Sequence, residues 1–266
     1  MQKKSNYKPL VPAVEHASKV LLCLGAGDKF NKRLTEICEQ VGIHKSKAYT
    51  ILNTLMKFGF VEKDSQMKTY SLGPGLILLS RYFLDNLPYM QVVSHFIAAL
   101  GRETKSTALF CMISGGYVFI LEKYEGNQNV SFTLRIGHRL HITLGSIGKS
   151  ILAFMPDEKR EQILARKKLY FHGDPASLDL ERLRNELEEC RRKWYATSDI
   201  GEITPGISAV SAPVFGPNNK VIGCVTLLGT FSRYMVEELG AKTAYTGRQI
   251  SYRLGADLKS KYMDQS

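Results

Sequence analysis

No run approaching 20 uninterrupted apolar residues occurs in this 266-residue chain, so no membrane-spanning helix is expected. The polar, basic start at residues 1–8 lacks the apolar core of a signal peptide, and a cytoplasmic protein is expected. Cysteine is sparse: Cys23, Cys38, Cys111, Cys190 and Cys224 form no Cys-x-x-Cys pair and have no histidine at ligand spacing. That pattern speaks against a zinc site or a disulfide framework and leaves small core fillers, and no cofactor is expected. Gly148-Lys149-Ser150 matches the tail of a nucleotide-binding Walker loop, but the loop's first glycine would fall on Thr143. The phosphate cradle is incomplete, and Lys149 reads as a surface or helix-face residue. Catalytic machinery is missing too. His138, His141, Ser146 and Asp199 are the ingredients of a hydrolase, yet no Gly-x-Ser-x-Gly elbow, carboxylate pair or acidic metal cluster orders them. A non-enzymatic chain is expected.

What is present is a globular mixture, 44% apolar and 23% charged, at a length that suits two domains. The net charge of +11 suggests a polyanionic partner, and its distribution sharpens that reading. Residues 1–86 hold 13 Lys/Arg against 7 Asp/Glu, while the remaining 180 residues hold 23 against 18. Charge per residue is more than twice as high in the N-terminal third.

Helical periodicity marks residues 14–24, 34–41 and 45–58, the first ending at Gly25 and the second at Gly42. Short strands at 60–63 and 69–72 then flank the polar loop Asp64-Ser65-Gln66-Met67-Lys68, which reads as a hairpin. After Gly73-Pro74-Gly75 an apolar helix is expected over residues 76–87. Further on, helices are expected at 90–103, 147–154, 157–167, 179–193 and 236–258. Strands are expected at 108–113, 117–124, 130–136, 209–215 and 221–228. Hairpin turns among these strands argue for an α+β domain with an antiparallel sheet rather than a doubly wound parallel one. The domains expected are residues 1–73, a linker helix at 74–88, and residues 89–266.

Two short helices joined by a tight glycine turn at Gly42 set the second helix where it can enter a major groove, which is about 12 Å wide. Subtracting its apolar stripe leaves Lys45, Ser46, Lys47, Tyr49, Thr50, Asn53, Thr54 and Lys57 facing outward, cations and hydrogen-bonding groups with no acid among them. Together with Arg33, Lys63 and Lys68 they form one positive footprint: a winged helix-turn-helix for double-stranded DNA. Lys45, Lys47 and Lys63 are assigned to phosphates, and Ser46, Tyr49, Thr50 and Asn53 to base edges.

On these residues the chain resembles the IclR (isocitrate lyase regulator) family of bacterial transcription factors, over about residues 11–258. The helix-turn-helix, Phe58-Gly59-Phe60-Val61 and Tyr70-Ser71-Leu72-Gly73 carry the likeness at the N-terminus. Ile136-Gly137-His138-Arg139, Gly145-Ser146-Ile147-Gly148-Lys149-Ser150, residues 199–213 and 221–229 carry it beyond. Thr50 departs from it, since the family often has arginine there.

The resemblance implies a GAF-like effector-binding domain with one pocket for a small, usually acidic metabolite, and a homodimer or homotetramer acting on a near-palindromic operator. It places Ser146, Ile147, Asp199, Ala209, Thr226 and Leu228 at that pocket. Ala209 stands where cysteine is common, and Thr226 and Leu228 where serines are common, so an organic acid with an apolar part is expected. A helix beginning near Ser146 would aim free amides and its positive dipole end at a carboxylate. The competing reading is a DNA-binding protein whose second domain serves assembly or protein contact without a ligand.

The footprint yields one measurement. Lys47→Ala should weaken DNA binding uniformly across sequences and flatten its salt dependence by a slope of about 1, leaving base preference intact; a fluorescence-anisotropy titration at several salt concentrations reads all three.

Overall fold

A computed structural model describes residues 11–26, 30–86, 90–126, 134–199 and 201–258. The chain divides into two compact units, residues 1–88 and 89–266.

In the first unit, α1 (Pro12–Gly25), α2 (Leu34–Val41) and α3 (Lys45–Lys57) precede an antiparallel hairpin of β2 (Val61–Asp64) and β3 (Thr69–Leu72). A two-residue strand, β1 (Lys32–Arg33), pairs with the free edge of β3 and completes a three-stranded sheet. The apolar stripes meet in one core: Val20 and Leu24 from α1, Ile37 from α2, Ile51, Leu52 and Leu55 from α3, and Val61 and Tyr70 from the hairpin. Gly42 ends α2 at φ +72°, its N–H donating to the Cys38 carbonyl, and this left-handed residue lets the chain turn at once into α3. Lys32 is buried, and its ammonium donates to the Ala26 carbonyl at the end of α1 at 3.0 Å, so one cation of the basic third is structural.

Helix α4 (Gly75–Asp85) follows the hairpin. Its start is fixed by close backbone approach: a Cβ on Gly73 would lie 2.3 Å from the Gly59 carbonyl oxygen. None of its residues is buried, and Ile77, Leu78, Leu79, Tyr82, Phe83 and Leu84 are all exposed. Leu87, expected to close this helix, lies outside the described residues.

The second unit is built on a six-stranded antiparallel sheet. Its strands are β4 (Thr107–Ser114), β5 (Tyr117–Tyr124), β6 (Arg139–His141), β7 (Ala196–Ser198), β8 (Ser208–Phe215) and β9 (Val221–Gly229), in spatial order β6-β5-β4-β9-β8-β7. Helices α5 (Met90–Thr104) and α9 (Val236–Arg253) pack on the sheet, as do α6 (Gly145–Ala153) and α8 (Leu180–Lys193), with α7 (Asp157–Leu164) between the last two in sequence. Neighbouring residues of β8 show that both faces are covered. Ser211 reaches Ser146 of α6, while Ala212 lies beneath Gly247 of α9. Burial on both faces is why β8 and β9 read as apolar runs rather than as alternation.

The α+β class and the antiparallel sheet are as read from sequence. The expected strand at 130–136 is not: residues 134–136 form no strand, and the rest of that stretch lies outside the described residues. There the chain meets β5 through single hydrogen bonds around Gly137, whose φ of +87° turns it. Strands β1, β6 and β7 were not anticipated, being too short for alternation to register. Among the cysteines, Cys111, Cys190 and Cys224 are buried.

Helix α6 has all nine residues buried, and Gly148 sits where a Cβ would come 2.5 Å from the Thr143 carbonyl carbon. Gly148→Ala should therefore cost about 1–3 kcal/mol through overpacking, read as a lower melting temperature with the N-terminal unit still binding DNA.

Candidate functional site

Two surfaces carry chemistry, one in each unit. On α3 the inward positions Ala48, Ile51, Leu52 and Leu55 are buried, which turns Lys45, Ser46, Lys47, Tyr49 and Thr50 to solvent and leaves Asn53 half-buried. No acid occupies the first turn of α3, so its free amides and Lys45 and Lys47 present one positive end to an approaching phosphate. The Thr50 hydroxyl donates to the Ser46 carbonyl at 3.0 Å. Its proton is thus committed, and toward a base Thr50 can accept a hydrogen bond or offer its methyl group.

On the hairpin, Lys63 lies over the Tyr70 ring at 5.6 Å, and Asp64 accepts from the Gln66 and Met67 amides to fold the tip. Lys68 follows at φ +53° and is exposed. Arg33 is exposed at the start of α2, where the Glu36 carboxylate accepts from its backbone N–H at 2.6 Å.

In the second unit a cavity of about 190 Å³ opens between the start of α6, strands β8 and β9, and the segment before β8. Of the residues singled out from sequence, Ser146, Ile147, Ala209, Thr226 and Leu228 line it. Asp199 is not among its lining residues; its carboxylate is half-exposed, 3.8 Å from the Arg182 guanidinium. Sequence reasoning missed Leu134, Leu140, Leu144, Ser198, Ile203, Thr204 and Ile207. They belong to loops and to two three-residue strands, β6 and β7, where periodicity says nothing about facing. Among the described residues the wall is mainly aliphatic and carries no charged side chain.

The polar edge is organised by hydroxyl groups. Ser146 Oγ is 2.8 Å from Ser211 Oγ, which is 2.9 Å from Thr226 Oγ1. The first-turn amides of α6 are less free than expected. Gly145 N–H donates to the Tyr170 carbonyl and Ser146 N–H to Ser198 Oγ at 2.6 Å. The Ile147 amide is left as the first-turn donor without an acceptor among the described residues. An anion here would meet one amide, the helix dipole and serine or threonine hydroxyls, with no lysine or arginine on the wall.

The imagined hydrolase does not assemble. Ser146 is bonded to Ser211, His141 Nδ1 to Thr143 Oγ1 at 2.7 Å, and Asp199 faces Arg182. Burial, and then the charge of Arg166, holds the His141 imidazolium below its ordinary range. Among the described residues no group of three or more His, Cys, Asp or Glu side chains could hold a metal, and no helix is long and apolar enough to cross a membrane.

Lys149 corrects the sequence reading outright: it is 1% exposed. Its ammonium lies 2.9 Å from Glu186 and 3.5 Å from Glu202 and donates to the Thr197 carbonyl at 3.3 Å. A charged residue adjoining a glycine in a helix gives no sequence signal of burial, because its compensating carboxylates lie 37 and 53 residues further along.

Comparison with known proteins adds three findings. The IclR helix-turn-helix domain model matches residues 13–65, and the bacterial transcriptional regulator IclR C-terminal model matches residues 82–252. The HTH-type transcriptional regulator KipR of Bacillus subtilis is 26% identical over 225 residues, 84% of this chain and 89% of that protein. Among solved structures, an IclR transcriptional regulator from Alicyclobacillus acidocaldarius superposes with a TM-score of 0.80 at 28% identity, covering 94% of this chain and all of that one. An IclR homologue from Microbacterium hydrocarbonoxydans, solved with 4-hydroxybenzoate, shares the fold at 19% identity and a TM-score of 0.73 over 91% of this chain and 99% of its own.

Ser211→Ala removes the central hydroxyl between Ser146 and Thr226 and leaves both with fewer partners in a buried setting. A loss of about 1–3 kcal/mol is expected from such under-satisfied groups, seen as a lower melting temperature of the full chain.

Proposed function

The chain belongs to the IclR family of bacterial transcriptional regulators, and we propose that its operator binding is modulated by an organic acid with a bulky, preferably aromatic, apolar part held in the α6 pocket. The observation that carries this reading is the pocket's mixed lining. The start of α6 brings the Ile147 amide, the Ser146 hydroxyl and the positive end of a helix dipole to it, while Leu140, Leu144, Ile203, Ile207 and Leu228 make much of the wall aliphatic. A carboxylate suits the former and a ring the latter. The 4-hydroxybenzoate bound by the Microbacterium homologue is a ligand of that shape.

DNA is assigned to Lys45, Lys47, Arg33, Lys63 and Lys68 for phosphates and to Ser46, Tyr49, Thr50 and Asn53 for base edges. A dimer would present two such heads to the half-sites of a near-palindromic operator. The six exposed apolar side chains of α4 support association through that helix, since eleven residues are too few for a stable isolated helix and solvent does not favour such a face. The effector then acts by linkage, altering how the heads are presented.

A thermal-shift and calorimetry panel tests the pocket. Benzoate and 4-hydroxybenzoate should raise the melting temperature saturably, by the equivalent of about 2.7 kcal/mol at a hundredfold excess over Kd. Leu228→Ser should weaken them, while glyoxylate and pyruvate should bind poorly. Tight binding of the two small acids alone would reverse the size assignment. No shift with any acid would favour the reading in which the domain serves assembly.

A further inference from the structure

We propose that Lys149 is a positioning residue of the pocket: its buried ammonium latches Glu202, and with it the segment 201–207 that carries Ile203, Thr204 and Ile207, against α6 and α8. The effect on ligand affinity rests on the pocket reading above; the latch itself does not.

Two cations and two carboxylates alternate around one small ring. Lys149 Nζ contacts Glu186 at 2.9 Å and Glu202 at 3.5 Å. Arg182 contacts the same pair from the solvent side, Nε to Glu186 Oε1 at 2.9 Å and NH2 to Glu202 Oε1 at 2.7 Å. His172 Nε2 adds a contact to Glu186 at 2.9 Å. The Lys149 side chain is 2% exposed and that of Glu202 8%, so this charge is weakly screened. Removing the ammonium leaves Glu186 and Glu202 facing each other across Arg182 alone, and like charges at such range repel.

The loop must give way rather than the helix. Glu186 stands on α8, anchored by buried Leu183, Leu187 and Cys190. Glu202 stands on a loop whose described residues are joined by the Gly201–Ile207, Glu202–Asp199 and Ile207–Thr204 backbone bonds and by the Asp199 N–H donating to the Glu202 carboxylate. That loop has a shaped seat: a Cβ on Gly173, at φ +84°, would lie 2.3 Å from the Glu202 carbonyl oxygen. Ile203 faces the start of α6 closely enough that a Cβ on Gly145 would meet its Cγ1 at 3.0 Å. Lys149 thus ties the loop that covers the pocket to the helix whose first turn forms the polar end.

Hydrogen exchange followed by mass spectrometry on the full chain tests this without any ligand. In K149M and in E202Q, exchange across 201–207 should accelerate at least about tenfold while β8 and β9 keep wild-type protection. The double variant should loosen the segment less than the two single effects summed, because both substitutions remove the same Lys149–Glu202 contact while each also touches other partners. Benzoate affinity, measured by calorimetry, should fall in parallel. Unchanged exchange at 201–207, acceleration spread evenly over β8 and β9, or strictly additive effects would each overturn the latch. Should K149M fail to fold, the near-isosteric E202Q decides by the same readout. If wild-type protein ignores benzoate while 201–207 loosens as stated, the ligand assignment fails and the latch stands.

Discussion

The second unit is organised around the first turn of α6. Its amides are claimed from two directions, Gly145 by the Tyr170 carbonyl and Ser146 by Ser198. Its Ser146 hydroxyl is drawn onto β8 and β9 through Ser211 and Thr226. A helix end buried without partners would be costly, since each orphan amide needs an acceptor. Here the amide acceptors come from two elements and the Ser146 hydroxyl's partner from a third, so satisfying the helix end also ties it to β7, β8 and the 170–173 loop. The cavity is what remains at the one amide that these neighbours do not reach. Gly145, at φ +46° and with a Cβ position only 2.6 Å from Ser198 Oγ, shows how little slack the arrangement has.

Charge is handled in opposite ways by the two units. In the second, Lys149 and Arg182 are matched against Glu186 and Glu202, and burial that would push the Glu186 carboxyl up is outweighed by the His172 hydrogen bond and by Lys149, leaving it below its ordinary range. These charges are spent on internal geometry; buried pairs of this kind add little net stability but penalise any arrangement that separates them. In the first unit the cations of α3 and the hairpin stand in solvent, and among the described residues Lys32 alone is drawn inside to end α1. Exposed cations there lose little by exchanging water for phosphate, which is the electrostatic condition for a face that binds DNA through counterion release.

The first unit was legible in sequence because its information is local. Leu34, Ile37 and Val41, then Ala48, Ile51, Leu52 and Leu55, repeat at helical spacing, and Gly42 marks the turn between them. Subtracting that stripe gave the exposed face of α3 directly. The pocket was half legible: Ser146, Ile147, Ala209, Thr226 and Leu228 came from likeness to a family, and they do line one cavity. What could not be read was set by pairing over long separations. Ser198 reaches Ser146 across 52 residues and Glu202 reaches Lys149 across 53. Neither has a periodic or compositional mark, and so Lys149 read as a surface residue. Strands β6 and β7, three residues each, are likewise defined by the neighbour they pair with rather than by their own pattern.

A regulator needs its sensing and its reading elements to share an equilibrium, and the first unit carries an element unfinished by itself. Helix α4 shows Ile77, Leu78, Leu79, Tyr82, Phe83 and Leu84 to solvent and buries nothing. Such a face gains by removal from water, at roughly 25 cal/mol per Å² of apolar surface. Helix α4 directly follows the hairpin, through glycines at 73 and 75 that pack on the backbone of Gly59, so its start is built onto the head. Under the proposed linkage, an effector that shifts DNA affinity by a given factor must have its own affinity shifted by DNA by that same factor. That reciprocity is what the proposed function requires of the charge on α3 and the neutral pocket at α6.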